Sequence, residues 1–306
     1  LVPERLNTWY ISQEGPTDQE LEFYVGPHSV EDLAAPDLSK ALAGVDRLGR
    51  ELPSKNSLLP ENSSIKTSPT EVTPVSVDEN VTFWLKGSTH FGGLPKVFSR
   101  IQLSTDAALN SAQSAVYLSL WESLYDLKQT PLATEASIAG MSLSMGASNG
   151  ISLTLAGFTD KQPELLERAL AGLRVEPSEL EFGQAVERLL RGIENSKRAF
   201  PYTRFTPLLS LLTRQGRYTD ASLARAASTA SLEGFNAFVD QVLGTSHVRG
   251  AFFGNYSETD VRGVYELLST AVSASASARY ARSNIYAPKP ATTLLLNREV
   301  PVEDLG

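Results

Sequence analysis

The chain has 306 residues, 42% of them hydrophobic and 20% charged, with a formal net charge of −8 and no cysteine. This composition is ordinary for a globular protein, and no run approaches the ~18 consecutive apolar residues that would span a membrane, so we expect no membrane partner. The negative charge, without a stripe of Lys and Arg, argues against nucleic-acid binding. The lack of cysteine excludes disulfides and thiolate chemistry, and it fits the cytoplasm, our expectation, or the periplasm as the alternative.

The first part of the chain predicts a hairpin, short helices and a linker. Residues 6–11 and 21–25 are strand-like, and such a pair is too small to stand alone, which indicates an excised piece of a longer polypeptide. Residues 30–48 can form one or two short helices. Residues 51–75 contain several prolines among polar residues, a composition typical of linkers.

Residues 80–171 predict two hairpins and two helices. The first hairpin pairs residues 81–86 with 97–103, and residues 107–127 predict a buried helix that continues, after a break at Pro131, to Ile138. The second hairpin pairs residues 141–145 with 151–155 across Ala147-Ser148-Asn149-Gly150. One of its faces carries only Ser and Thr, and we expect that face to meet water or a wet chamber. Pro163 fits the first turn of the helix that follows.

The remaining segments complete an alternation of helices and strands. Residues 178–199 predict a helix that begins at a capping box formed by Ser178 and Glu181. Further helices are predicted at residues 205–213, 219–227, 232–243 and 259–272, with a strand at 247–253. This order predicts an α/β (α+β) fold, in which helices are layered on one face of a mostly antiparallel sheet.

Few residues in the sequence could carry catalysis. The only histidines are His28, His90 and His247, and none has a second histidine within helical reach. We therefore expect neither a metal site nor a bound cofactor in this chain. No serine occupies the pattern of a nucleophile elbow, and an independent enzyme with a new active site ranks behind the other functions considered below.

A basic and aromatic cluster after the 178–199 helix is the best candidate for a binding surface. Its members are Lys197, Arg198, Phe200, Tyr202, Arg204 and Phe205, and the candidate substrate-binding residues among them are Arg198, Phe200, Tyr202 and Arg204. Arginine and aromatic side chains together favour peptide binding. The alternative is a helix end whose cations complement the helix dipole, followed by a loop that aromatic residues anchor.

Several segments, in order, resemble the insulin-degrading enzyme and pitrilysin family of zinc metallopeptidases, family M16. Residues 52–62, LPSKNSLLPEN, resemble the family's inter-lobe linker, and residues 157–166, GFTDKQPELL, resemble the middle of its third domain. Trp84-Leu85-Lys86, Leu94-Pro95-Lys96 and Phe253-Gly254-Asn255 also occur in the expected order. The resemblance covers most of the chain.

The resemblance implies a domain organisation. In that family, four homologous α/β domains form two bowl-shaped lobes that close around a peptide. Residues 1–36 would then end the second domain, 37–74 would be the inter-lobe linker, 75–274 the non-catalytic third domain, and 275–306 the connection toward a fourth. The family's zinc motif, H-x-x-E-H in the first domain, and the Arg and Tyr of its fourth domain have no match here.

The predicted function is therefore that of a non-catalytic segment of a zinc metalloendopeptidase. It would form part of the wall of the substrate chamber and support lobe closure, with Ser142, Ser144 and Thr154 as candidate wall residues. Its partners would be the peptide substrate and the N-terminal catalytic lobe of the same polypeptide, and zinc would belong to the parent enzyme. A bacterial processing enzyme is one possibility, including the peptidase of pyrroloquinoline quinone biosynthesis, and a general oligopeptide-degrading enzyme is another.

The competing function is that of a stand-alone, non-catalytic binding or scaffold subunit that partners an active peptidase. An upstream H-x-x-E-H motif in the same reading frame would favour the peptidase, whereas a gene that begins and ends near these residues would favour the subunit.

Overall fold

A computed structural model describes residues 19–20, 27–28, 55–78, 81–90, 92–198, 200–274 and 284–286. The chain divides into two compact units, Leu1–Lys55 and Asn56–Gly306. In the first unit, β1 (Gln19–Glu20) pairs antiparallel with β2 (Pro27–His28). The strands predicted at 6–11 and 21–25 and the helices predicted at 30–48 lie outside the described residues.

A six-stranded sheet forms the centre of the second unit. Its strands are β3 (Thr73–Asp78), β4 (Val81–Lys86), β5 (Lys96–Ser104), β6 (Ser142–Ala147), β7 (Gly150–Phe158) and β8 (His247–Gly254). They lie in the order β3-β4-β8-β5-β7-β6, and every neighbouring pair is antiparallel except β4 and β8, which are parallel. The prediction of a mostly antiparallel sheet is confirmed.

The predicted pairing of β4 with β5 as a hairpin is wrong. β8 lies between these strands, parallel to β4 and antiparallel to β5. Gly250 allows β8 to lie between them, because the rings of Phe83 and Phe252 occupy the space where a side chain at this position would be. A Cβ there would lie 2.6 Å from the Phe83 ring. The hairpin of β6 and β7 is confirmed, with Leu143 opposite Leu155 and Met145 opposite Leu153.

The helices are α1 (Ala112–Ile138), α2 (Gln162–Ala171), α3 (Glu179–Ser196), α4 (Pro201–Thr213), α5 (Asp220–Ser228), α6 (Leu232–Gly244) and α7 (Glu258–Ala271). The predicted capping box of α3 is present, since Ser178 and Glu181 exchange hydrogen bonds at its start. The helix predicted from residue 107 begins later, because Asp106–Leu109 form a short 3-10 turn and Ser111 caps α1.

The predicted break at Pro131 is also wrong, because α1 runs through that residue without interruption. Proline removes one backbone donor, and the cost is smallest where water reaches the unpaired carbonyl. Pro131 is exposed, and the hydroxyls of Thr130 and Thr134 donate to backbone carbonyls one turn earlier, at 2.8 Å each.

One face of the sheet packs against the helices and forms the core. Phe83, Ile101, Ile151, Leu153 and Phe252 are almost fully buried on that face. In the layer behind it, the Trp121 indole on α1 donates to the Leu173 carbonyl at 2.8 Å, and the Tyr125 hydroxyl donates to the Ala169 carbonyl at 3.0 Å. These bonds satisfy the polar atoms of two buried aromatic residues and fix α1 against α2.

Candidate functional site

The described helices pack on one face of the sheet, and we call the second face, which they do not cover, the open face. Along β5, buried Val97 and Ile101 alternate with exposed Lys96, Phe98 and Arg100. Because strand residues alternate between the two faces, the exposed series projects away from the core. The open face therefore presents a continuous set of side chains across neighbouring strands.

Exposed aromatic side chains occupy facing positions on the open face, toward one end of the central strands β5 and β8. The strand register puts Phe98 of β5 directly opposite Phe253 of β8, and these side chains are 43% and 44% exposed. Trp84 of β4 lies on the same face, opposite Ala251. Exposed aromatic residues beside each other offer a flat apolar platform that a folded domain does not need for its own core.

The basic residues of these strands surround the aromatic platform. The Arg249 guanidinium and the Lys96 ammonium each lie 4.9 Å from a ring centre, those of Trp84 and Phe158 respectively. Arg100 donates to the Ser152 hydroxyl at 3.4 Å, and Lys86 is opposite Phe253 in the register. The ring quadrupole attracts both cations and helps to hold them on this face.

The described strands β4 to β8 supply no carboxylate to the open face, because their sequences contain no Asp or Glu. Asp78 at the end of β3 bonds to Tyr265 of α7, which places it on the helix side. Burial, and then the charge of Arg249, lower the pKa of His247 on the same face, so that this imidazole is neutral at pH 7. The open face is thus basic in a chain of net charge −8.

The Ser and Thr residues singled out in the sequence lie at one end of the open face. Ser142 and Ser144 on β6 are exposed, and half-buried Thr154 on β7 is opposite Ser144. β6 is the last strand of the sheet, so these residues continue the surface from the cations to its edge. Their small side chains leave the edge accessible.

The cluster predicted from the sequence lies elsewhere, between α3 and α4. Arg198 is exposed in the turn after α3, and Phe200 is 70% exposed at the start of α4. Tyr202 and Arg204 fall in the first turns of α4, and their side chains lie outside the described part of the structure. Peptide binding by this cluster stays a prediction.

The described residues do not fit a zinc site. His90 is in an exposed turn after β4 and His247 is on β8, and across the described ranges no group of three or more His, Cys, Asp or Glu could hold a metal ion. Among the same residues, no helix is long and apolar enough to cross a membrane. What the open face offers chemically is binding, because it has charge and aromatic area but no nucleophile paired with a base.

The sequence contains a signal for the open face that is not a short motif. The strand segments that carry Lys86, Lys96, Arg100 and Arg249 lack acidic residues. In each segment the cation is next to an apolar residue of the strand. Strand parity alone puts them on one face of each strand. Joining the strands required β8 to lie between β4 and β5, and the predicted hairpin of β4 and β5 excluded that arrangement.

Comparison with known proteins points to one family. The family profile described as "Middle or third domain of peptidase_M16" matches residues 1–226. Protease 3 of Shigella flexneri is 27% identical over 175 residues, which is 56% of this chain and 18% of that protein. Insulin-degrading enzyme of Homo sapiens is 26% identical over 281 residues, which is 88% of this chain and 27% of that protein. The chain thus spans under a third of the length of either relative.

A solved structure has the same fold. The crystal structure of pitrilysin superposes with a TM-score of 0.72 at 21% identity, over 86% of this chain and 29% of that one. At this identity the likeness shows the fold alone.

Proposed function

The chain belongs to the peptidase M16 family, whose middle or third domain it carries, and from that premise we propose that it is a non-catalytic segment of a zinc metalloendopeptidase that encloses peptides. The open face is the part of its surface that contacts the peptide, as one wall of the substrate chamber. The peptide and the N-terminal catalytic lobe of the same polypeptide are its partners. The cytoplasm is the proposed compartment, with the periplasm as the alternative.

The carrying observation is the combination of exposed Phe98 and Phe253 with the cations around them. A face that served only to cap the sheet would carry mixed charges and few large apolar groups. Rings of this kind bind the apolar side chains of an extended peptide, and Arg100 and Arg249 attract its carboxylates. The face holds a peptide without cutting it, and cleavage requires a zinc site that these residues do not form.

Support of lobe closure follows from the same contacts. A peptide that touches both the open face and the catalytic lobe favours the closed arrangement by the free energy of its contacts with the open face. The population of the closed state can shift only by as much as the peptide binds the closed state more tightly than the open state.

We test the proposal with the chain and a fluorescein-labelled decapeptide of alternating Glu and Tyr, measured by fluorescence anisotropy. Arg100→Glu is expected to weaken binding about five- to tenfold, because a repulsive charge replaces an attractive one at low salt. Phe98→Ser is expected to weaken binding of this peptide and of its Lys/Tyr counterpart alike, since it removes apolar contact area.

The matched control is Arg191→Glu, which makes the same charge change at an exposed site on α3, on the helix side of the domain. It should alter affinity by less than about twofold. Equal losses for Arg100→Glu and Arg191→Glu would mean that net charge alone governs binding, and the open face would lose its assignment.

A further inference from the structure

Residues 56–69 form an extended strap along the second unit and contain neither helix nor strand. Leu58 is the only residue of this segment that is buried, and the others are half-buried or exposed. The strap therefore has one apolar anchor, and the rest of its attachment is polar. Segments with few buried apolar contacts open locally at a lower free energy than a core does.

The buried amide of Asn255 recognises the backbone in the second half of the strap. This side chain belongs to a residue only 5% exposed. Its Oδ1 accepts the Lys66 backbone N–H at 2.6 Å, and its Nδ2 donates to the Ser64 carbonyl at 3.0 Å. One amide thus satisfies a donor and an acceptor two residues apart, as a neighbouring strand would. The Ser68 hydroxyl donates to the Tyr256 carbonyl at 2.6 Å beside it.

Carboxylates of the domain hold the first half of the strap. A single oxygen of Asp160 accepts the backbone N–H groups of Glu61 and Asn62, at 2.9 and 3.0 Å. The Glu135 carboxylate accepts from the Ser57 backbone, and the Glu164 carboxylate accepts from the Ser57 hydroxyl.

An ion pair adds to these bonds further along. The Lys66 ammonium lies 2.6 Å from the Asp260 carboxylate of α7. Two cations, Lys161 and Lys66, act on the Asp160 carboxylate that holds the first half of the strap. Lys161 also lies 3.4 Å from the Glu61 carboxylate of the strap. Hydrogen bonds from Glu61 and Asn62, opposed by partial burial, lower the pKa of Asp160, so this acceptor is charged at neutral pH.

We infer that the strap is a latch that opens while the rest of the domain stays folded, and that Asp160 and Asn255 hold it closed. Closed, it ties the chain from residue 56 onward to the sheet and to α2 and α7. Open, it releases up to about 45 Å of extended chain, at 3.3 Å per residue. The latch thus sets how much of residues 56–69 is detached from the second unit. This inference does not depend on peptide binding by the open face.

Amide hydrogen exchange with fragment-level mass spectrometry tests the latch in the whole chain. In the unmodified protein, fragments covering residues 56–69 should exchange more slowly than an unstructured peptide and faster than β5 and β8. Asp160→Ala and Asn255→Ala should each accelerate exchange in the strap about tenfold or more, while β5 and β8 keep their rates. Glu167→Ala, an exposed carboxylate change on α2, is the matched control and should leave the strap unchanged.

Three results would overturn the inference. The strap could exchange at the unstructured rate in the unmodified protein, or at the same rate as β5 and β8, or at an unchanged rate in Asp160→Ala. Asp160 is half-buried at the surface, so its variant decides the question even where Asn255→Ala also loosens the core.

Discussion

The Arg249 guanidinium and the Lys96 ammonium both lie over aromatic rings of neighbouring strands, so part of the stabilisation of these cations on the open face comes from ring stacking. The face of an aromatic ring carries partial negative charge and attracts the cation, but the ring has no net charge and therefore does not neutralise the cation. Phe98 and Phe253 keep over two fifths of their surface exposed. The proposed peptide recognition therefore depends on individual side chains whose roles the sequence alone does not rank.

Gly150 is the residue on which the β6–β7 hairpin depends. Its φ of 119° is accessible to glycine and strained for other residues, and a Cβ would lie 2.0 Å from the Leu103 carbonyl oxygen. Gly150→Ala should lower the free energy of unfolding by about 2–3 kcal/mol, because the turn or β5 must shift. Urea unfolding followed by circular dichroism measures this.

The control for that substitution is Gly93→Ala in the loop between β4 and β5, where a Cβ meets nothing within 4 Å. Its effect should stay within about 0.5 kcal/mol. If the two variants were equally stable, the backbone of Gly150 would not be the constraint described.

Among the elements, local pairs were predictable and distant pairs were not. The β6–β7 hairpin follows from alternation around Ser148-Asn149-Gly150, all within one short segment. The pairing of β5 with β8 joins segments that are separated by most of the domain, and neither sequence indicates which strand is its neighbour. Alternation gives the face of a strand but not its neighbour, so the open face could be predicted strand by strand and not as a whole.

The edge strand β3 was missed for a related reason. Pro74 and the polar residues around it indicate a linker, yet Thr73–Asp78 pair with β4. Proline is tolerated in an edge strand, because on the outer side of that strand its missing N–H is not needed for a ladder hydrogen bond. Only the sheet order, in which β3 is terminal, makes this position acceptable.

The start of α7 couples helix capping to pH. Asp260 and Ser257 form a capping box, and Asp260 also pairs with Lys66. Burial opposes ionisation of Asp260, but the hydrogen bonds from Lys66 and Ser257 together lower its pKa. Because the folded pKa is depressed, the stability from this carboxylate is present above the ordinary value of about 3.9 and is lost as pH falls through the folded value.

Asp260→Asn tests that coupling. The variant should be about 1 kcal/mol less stable at pH 6, since it loses charge-assisted bonds at the helix start. It should also lose less stability than the unmodified protein when the pH is lowered from 6 to 3, in urea titrations at each pH. Asp106→Asn, at the exposed Asp106 before α1, serves as the control. Parallel pH profiles for Asp260→Asn and the unmodified protein would contradict the assigned role.

For the second unit as a whole, the described helices form one layer on one face of the sheet, and the proposal assigns peptide binding to the other face. The order of segments predicted the fold class, and the resemblance to the M16 family predicted the membership that the family profile shows. The candidate surface between α3 and α4 was chosen because its residues are adjacent in sequence. The residues of the open face belong to strands that are far apart in the chain, so the surface is recognised only when the order of the strands in the sheet is known.

The most direct measurement of the central claim is photo-crosslinking of the acidic decapeptide, with one central tyrosine replaced by benzoylphenylalanine, followed by mass-spectrometric mapping on the chain. The account predicts crosslinks on β4, β5 and β8, at or beside Trp84, Phe98, Arg100 and Phe253. Crosslinks confined to the helix side, on α3 to α5, or no crosslinks at peptide concentrations above the measured Kd, would contradict it.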